Sequence, residues 1–226
     1  TPLYSSAASD VYKRQMRMTF AHMYRSHRLL MGSGGYQSEG EAYHHTAMTP
    51  VEYAAALWNV FGQMLSPYPD YTHGVARHFS HGVFRESKNR PPSLAWQSFN
   101  GGNYNGNPYH FLCAGFAFTP EEYKPALLWF WNRMAGVKPE DPESYVNLVN
   151  DHSLGDVIYT FINYPLDPKT GKASLQERHP NEAFPKTWQA VDKGLYVFRN
   201  QWQDARDIVL QVYANQLMSK GHGQPD

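Results

Sequence analysis

A single cysteine, Cys113, stands in the whole chain, so no internal disulfide can form. It lies in the apolar run Phe111-Leu-Cys-Ala-Gly-Phe116, where a thiol behaves as a small buried hydrophobe. Charge of either sign is not in excess: 20 Lys and Arg face 20 Asp and Glu. The basic residues form no long run, which excludes a nucleic-acid surface but not a local basic cleft for a polyanion. No apolar run approaches membrane-spanning length, so no membrane insertion is expected. What is abundant is aromatic area, with 16 Tyr, 12 Phe and 6 Trp. Two uses of those rings stay open: packing a core, or lining a sugar-binding cleft with flat faces and polar tips. The 226 residues are enough for one large domain or one and a half ordinary ones.

The stretch Ser5-Ser-Ala-Ala-Ser-Asp-Val-Tyr-Lys-Arg-Gln15 resembles the translation of a transposon-type sequencing adapter. On that resemblance residues 1–15 are expected to be an artefactual, disordered leader, with the genuine protein starting near Met16 in mid-domain. At the other end, Gly221-His-Gly-Gln-Pro-Asp226 follows a strand-like segment with no closing element, so a cut at both ends is expected.

From Met16 to about Ser153 the pattern reads as helical. Residues 16–31 form a plausible helix closed by Gly32-Ser-Gly-Gly35. Tyr53, Leu57, Val60, Phe61 and Met64 recur at helical spacing, ended by Pro67 and Pro69. A third run sets Val75, Phe79 and Val83 on one face. The Asn-, Gly- and Pro-rich stretch 88–107 reads as a long loop of the kind that often carries function. Thr119-Pro-Glu-Glu122 reads as a capping box opening a helix through Leu127, Phe130 and Met134, with Pro125 disturbing its first turns. Pro139, Pro142 and Ser144 introduce a further helix through Val157, Tyr159 and Phe161. Residues 166–193 read as a linker. Gly194-Leu-Tyr-Val-Phe-Arg199 and Asp207-Ile-Val-Leu-Gln-Val-Tyr213 then carry the two-residue period of strands. Helices followed by antiparallel strands give an α+β multidomain class. The histidines His73, His78 and His81 have no Cys or carboxylate at ligand spacing and read as a solvated helix face rather than a zinc site.

Two segments hold chemistry-bearing groups. Gly34-Gly-Tyr-Gln-Ser-Glu-Gly-Glu-Ala-Tyr43-His44-His45 reads, by spacing alone, as a capped helix start with a packed tyrosine. Gly221-His222-Gly-Gln224-Pro-Asp226 reads, alone, as a hairpin turn, although its glycines also permit close approach of a ligand. Taken together with Gly194-Leu-Tyr-Val-Phe-Arg199-Asn-Gln-Trp202, they resemble the heparinase II/III family of polysaccharide lyases. That family carries Gly-Gly-x-x-x-Glu-Gly-x-x-Tyr at a toroid helix, Gly-x-x-x-x-Arg-x-x-Trp in a β-strand, and Gly-His-x-x-x-Asp at a strand end.

The resemblance implies an incomplete (α/α) toroid over 16–165, then the start of an antiparallel β-sandwich-like domain over 194–226. It implies β-elimination on a heparin- or heparan-sulfate-like acidic polysaccharide, with alginate or oligoalginate as the alternative substrate. Tyr43 matches the catalytic acid/base and His222 the catalytic base. Gln37, Glu39, His44, Tyr104 and Arg199 are the expected substrate-binding residues. Glu39 could equally cap its helix, and Tyr104 could equally sit in a plain loop. No cofactor is implied: zinc-containing branches have a second histidine where this chain has Gln224. The family's upstream Asn or His has no match here. The family's polymer substrates imply a periplasmic or secreted protein. With those parts outside it, the chain alone is expected to show little or no activity.

Two other classes remain open. A hydrolase on a similar toroid needs two placed carboxylates, whereas Glu39 with Glu41 and Glu121 with Glu122 look like helix-start residues. A non-catalytic polysaccharide-binding toroid would bind sugar and be indifferent to changes at His222.

Overall fold

In a computed structural model, the described residues are 9–19, 21–22, 25, 48–63, 72–87, 90–98, 102–106, 109–150, 154–202 and 207–214. Helix α1 covers residues 9–19 and stays exposed, with Val11, Tyr12, Met16 and Met18 all more than half solvent-accessible.

Helix α2 (Met48–Phe61) packs on α4 (Tyr109–Gly115), which also contacts α6 (Leu154–Asn163). The core face of α2 is not the one its large apolar residues predict. Val51, Ala54 and Ala55 are buried and Trp58 packs beside them, while Val60 and Phe61 are exposed. Positions 51, 54, 55 and 58 follow the helical repeat. Small side chains there let α2 approach α4 closely.

Helix α3 (Gly74–His81) buries Val75 and Phe79, as its spacing predicts, but ends before Val83. His78 does not lie on a solvated face: it is buried, its ring 4.8 Å from that of Phe111.

The expected loop at 88–107 is instead sheet. Strands β1 (Val83–Ser87), β2 (Arg90–Ser98) and β3 (Gly102–Gly106) form an antiparallel ladder in that order. Proline in a central strand would normally break the ladder. Here the β3 register runs only from Leu94 to Ser98, and the β1 register is irregular between Arg85 and Ser87. Pro91 and Pro92 therefore fall where no regular pairing requires their missing N–H.

Helix α5 (Lys124–Ala135) is buried almost all round, including Leu127, Leu128, Phe130 and Trp131, so it is the central helix. The expected capping box does not form. The Thr119 hydroxyl donates 2.9 Å to the Gly115 carbonyl, at the end of the preceding helix, and α5 begins only at Lys124. Pro125 thus sits in the first turn, where an N–H has no intrahelical partner, and does not disturb it. Gly136 closes the helix at φ +74°, and the Val137 N–H returns 2.7 Å to the Asn132 carbonyl.

A 3-10 segment (Pro142–Leu148) precedes α6, so the single helix expected there is two elements. Helix α6 is inverted relative to the usual pattern. Asp156 and Thr160 are buried, while Leu154, Ile158, Phe161 and Ile162 face solvent.

The expected linker is structured. It holds the hairpin β4 (Leu166–Asp167) and β5 (Lys172–Ala173), the short α7 (Pro180–Ala183), and β6 (Thr187–Ala190). Strand β6 pairs with β7 (Leu195–Arg199), which pairs with β8 (Val209–Tyr213), all antiparallel. The sheet therefore starts at Thr187. Leu195, Val197 and Arg199 point inward, while Phe198, Leu210 and Val212 are exposed outside.

Aromatic rings join the layers. Phe79 meets Phe130 at 5.2 Å, and Phe184 meets Trp202 at 5.5 Å and Trp188 at 6.4 Å. Such pairs add specific geometry to area burial. Among these rings the core-packing use of aromatic area is the one observed.

Gly115, the last residue of α4, has no room for a side chain. A Cβ there would lie 2.2 Å from Val75 Cγ2. Gly115→Ala should lower stability by about 1–3 kcal/mol through overpacking, read as a lowered midpoint in urea. Adding Val75→Ala should recover part of the loss. An unchanged midpoint in Gly115→Ala would contradict the α3–α4 contact.

Candidate functional site

Tyr43, His222, Gln37, Glu39, His44 and Gln224 lie outside the described residues. The backbone of Tyr104 lies in β3, paired in register with Trp96 of β2. It is therefore in a strand rather than in a loop.

Arg199, expected to meet substrate, faces inward. Its side chain is almost fully buried, as is that of Asp207, and Nη1 donates to the Asp207 carboxylate at 2.5 Å. Nη2 donates to the Ser80 carbonyl at 3.1 Å and to the Gly82 carbonyl. These carbonyls lie at the C-terminal end of α3, where helical carbonyls lack intrahelical partners and the dipole favours a cation. The Trp202 ring lies 3.6 Å from the guanidinium carbon. The Arg-x-x-Trp spacing thus stacks a cation on an indole. Burial pulls the Arg199 pKa down to about 10, opposed by Asp207, so the group stays charged at neutral pH. The site is a joint between α3 and the β6–β8 sheet, with the guanidinium donors turned away from solvent.

A second cluster was not foreseen from the sequence. His110 of α4 is held between two carboxylates: Nδ1 contacts Asp156 of α6, and Nε2 contacts Glu52 of α2 at 2.7 Å. The imidazole is partly exposed, Glu52 about as open, and Asp156 mostly enclosed. Each piece has a local cause. Asp156 lies in the first turn of α6, where the dipole stabilises an anion. The backbone of α6 approaches His110 at Gly155, whose added Cβ would sit 3.0 Å from the imidazole Cε1. Tyr159 donates its hydroxyl to the Glu52 carbonyl at 2.9 Å and sets its ring edge-on to His110.

Two carboxylates are both satisfied only if both ring nitrogens carry protons. The Asp156 contact accordingly raises the His110 pKa above its ordinary value, with burial opposing and Glu52 assisting. One imidazolium between two carboxylates leaves a net negative charge, so this cluster would repel an anionic sugar. Cys113 lies beneath it, donating to the His110 carbonyl at 3.3 Å and approaching the Asp156 carboxylate at 3.8 Å. Burial pushes its thiol well above the usual range, which removes the thiolate a nucleophile needs. Tyr109, bonded to the Leu148 carbonyl at 2.7 Å, is pushed by burial up to about 12 and stays a phenol. Among the described residues no group of three or more His, Cys, Asp or Glu could hold a metal ion. Among them, too, no helix is long and apolar enough to cross a membrane.

The signal for this cluster was faint. An acidic residue among the apolar neighbours Leu154, Val157 and Ile158 needs a partner when buried, but nothing local names His110, 46 positions away. No family model matches the chain, and no curated protein or solved structure matches it significantly.

Arg199→Met should cost about 3–5 kcal/mol, because the cation is removed from a buried carboxylate. Chemical denaturation of the variant reads this directly, and a loss under 1 kcal/mol (roughly the worth of an exposed pair) would contradict the joint. The His110 cluster has the opposite pH dependence from a carboxylate. Its folded pKa lies above the ordinary 6.5, so its contribution is complete below that pH and is lost as pH rises through the raised value. Urea midpoints of the wild type should fall as pH rises through the raised His110 value, and His110→Gln should flatten that slope.

Proposed function

We propose that the protein is a polysaccharide lyase of the heparinase II/III type, acting on heparin- or heparan-sulfate-like chains by β-elimination. The observation that carries this reading is the order of three segments in one chain: Gly34–Tyr43, Gly194–Trp202 and Gly221–Asp226. Two structural facts are compatible with it. Helices α2–α6 precede the antiparallel β6–β8 sheet. The middle segment's Arg199 and Trp202 together join that sheet to α3.

The chemistry asks for particular groups. A uronic acid has a weakly acidic proton at C5, next to its carboxylate, and a glycosidic oxygen at C4. Elimination takes the proton and expels the oxygen, leaving a C4–C5 double bond. A base must reach C5 and an acid must reach the leaving oxygen. His222, with an ordinary pKa of about 6.5, suits the base, and Tyr43, at about 10, suits the acid. The carboxylate must be neutralised so that the enolate-like anion can form. The Glu52–His110–Asp156 cluster is unsuited to that role, being net negative.

The same chemistry serves alginate or oligoalginate, so the polymer is decided by assay. No cofactor enters the reading, and Gln224 replaces the histidine of the zinc-containing branches. A polymeric acidic substrate sets the place of action in the periplasm or outside the cell. The hydrolytic alternative has less support: Glu52 and Asp156 converge, but the imidazole of His110 lies between them, where a glycosidic oxygen would have to sit.

A full-length version incubated with heparan sulfate, alginate, hyaluronan and chondroitin should release an ultraviolet-absorbing unsaturated product from at least one. Tyr43→Phe should lower turnover by about 100- to 10,000-fold with an unchanged circular dichroism spectrum. Sugar binding without cleavage, or oxygen from labelled water in the product, would overturn the proposal.

A further inference from the structure

We infer that the Glu52–His110–Asp156 junction is a proton-held clamp that positions the start of α2.

The geometry is the argument. Three helices that are distant in sequence meet at one imidazole: α2 through Glu52, α6 through Asp156, and α4 through His110 itself. The groups facing the ring come from each element packed around it. From α2 comes the Glu52 carboxylate. From α6 come the Asp156 carboxylate and the Tyr159 ring, whose hydroxyl is tied to the Glu52 carbonyl. From α4 itself comes the buried Cys113 thiol, which donates to the His110 carbonyl and approaches Asp156. Farther along the same helices, Asn163 of α6 donates to the Cys113 carbonyl at 2.8 Å and accepts from Asn59 of α2 at 3.1 Å. This last bond ties the opposite end of α2.

Among the described side chains of α2, Val51, Ala54 and Ala55 are buried and Trp58 packs beside them, whereas Val60 and Phe61 are turned to solvent. The two alanines bury little area, so the polar junction adds to the hold on the first turns. Removing one proton from the ring sets a bare nitrogen lone pair against a carboxylate and leaves two like charges on either side of a neutral ring. The two carboxylates then repel, and α2 is released first at the Glu52 end. His110 is thus a positioning residue for α2.

The clamp is tested by hydrogen exchange on this chain, comparing protection across 48–61 with that across 124–135 of α5 after correction for intrinsic exchange. In the wild type, protection of α2 should fall by about tenfold as pH rises from near 6 to near 9, while α5 holds. In His110→Gln it should be low at both ends of the range. If that variant does not fold, Glu52→Gln keeps the Asp156 contact and should still remove most of the pH dependence at α2. Constant protection in the wild type, or a pH dependence that survives both substitutions, overturns the clamp.

Discussion

A buried guanidinium needs acceptors for its N–H donors, and the layering of this protein follows from how Arg199 is met. Asp207 supplies the counter-charge, the end of α3 supplies two carbonyls, and Trp202 supplies a face. None of these partners is adjacent in sequence to all the others. Ser80 is 119 positions from Arg199. Satisfying the one cation therefore fixes the β6–β8 sheet against the helices, with the Phe130, Phe184 and Trp188 rings filling the seam. A buried ion pair is weak evidence for net stability, because desolvation offsets attraction. Its strength lies in orientation, since few other arrangements bring Asp207 and the two carbonyls to Nη1 and Nη2 at once.

The His110 junction works by a different rule. It lies partly in water, so its worth is set by protonation rather than by enclosure. The two devices divide the fold: Arg199 joins the sheet to α3, and His110 joins α2 to α4 and α6 most strongly when its ring is charged.

Local patterns made some of this legible. The alternation in Leu195–Arg199 matches the strand found there, with Leu195 and Val197 inward and Phe198 outward. Leu127, Phe130 and Met134 face the core, and Cys113 is a buried thiol, as its apolar run suggests. What escaped was decided by distant partners. The β1–β3 ladder was hidden by Pro, Asn and Gly, because composition does not show which N–H groups the register leaves idle. The buried face of α2 was missed because close helix approach favours alanine over the larger residues that a periodicity scan weights. Arg199 fits a substrate role by motif, yet its burial depends on Ser80, Gly82 and Asp207. Tyr43, His222, Gln37, Glu39 and His44 fall outside the described residues, so the catalytic pairing rests on sequence alone.

Helix α6 turns Asp156 and Thr160 inward and shows Leu154, Ile158, Phe161 and Ile162 to water. Colloidal behaviour follows from that inversion. With formal charge balanced at neutral pH, no long-range repulsion keeps molecules apart. Exposed apolar side chains on a neutral particle favour self-adhesion, uptake into detergent micelles and a marked response to salting-out ions. The outer face of α6 is one place where such adhesion would begin.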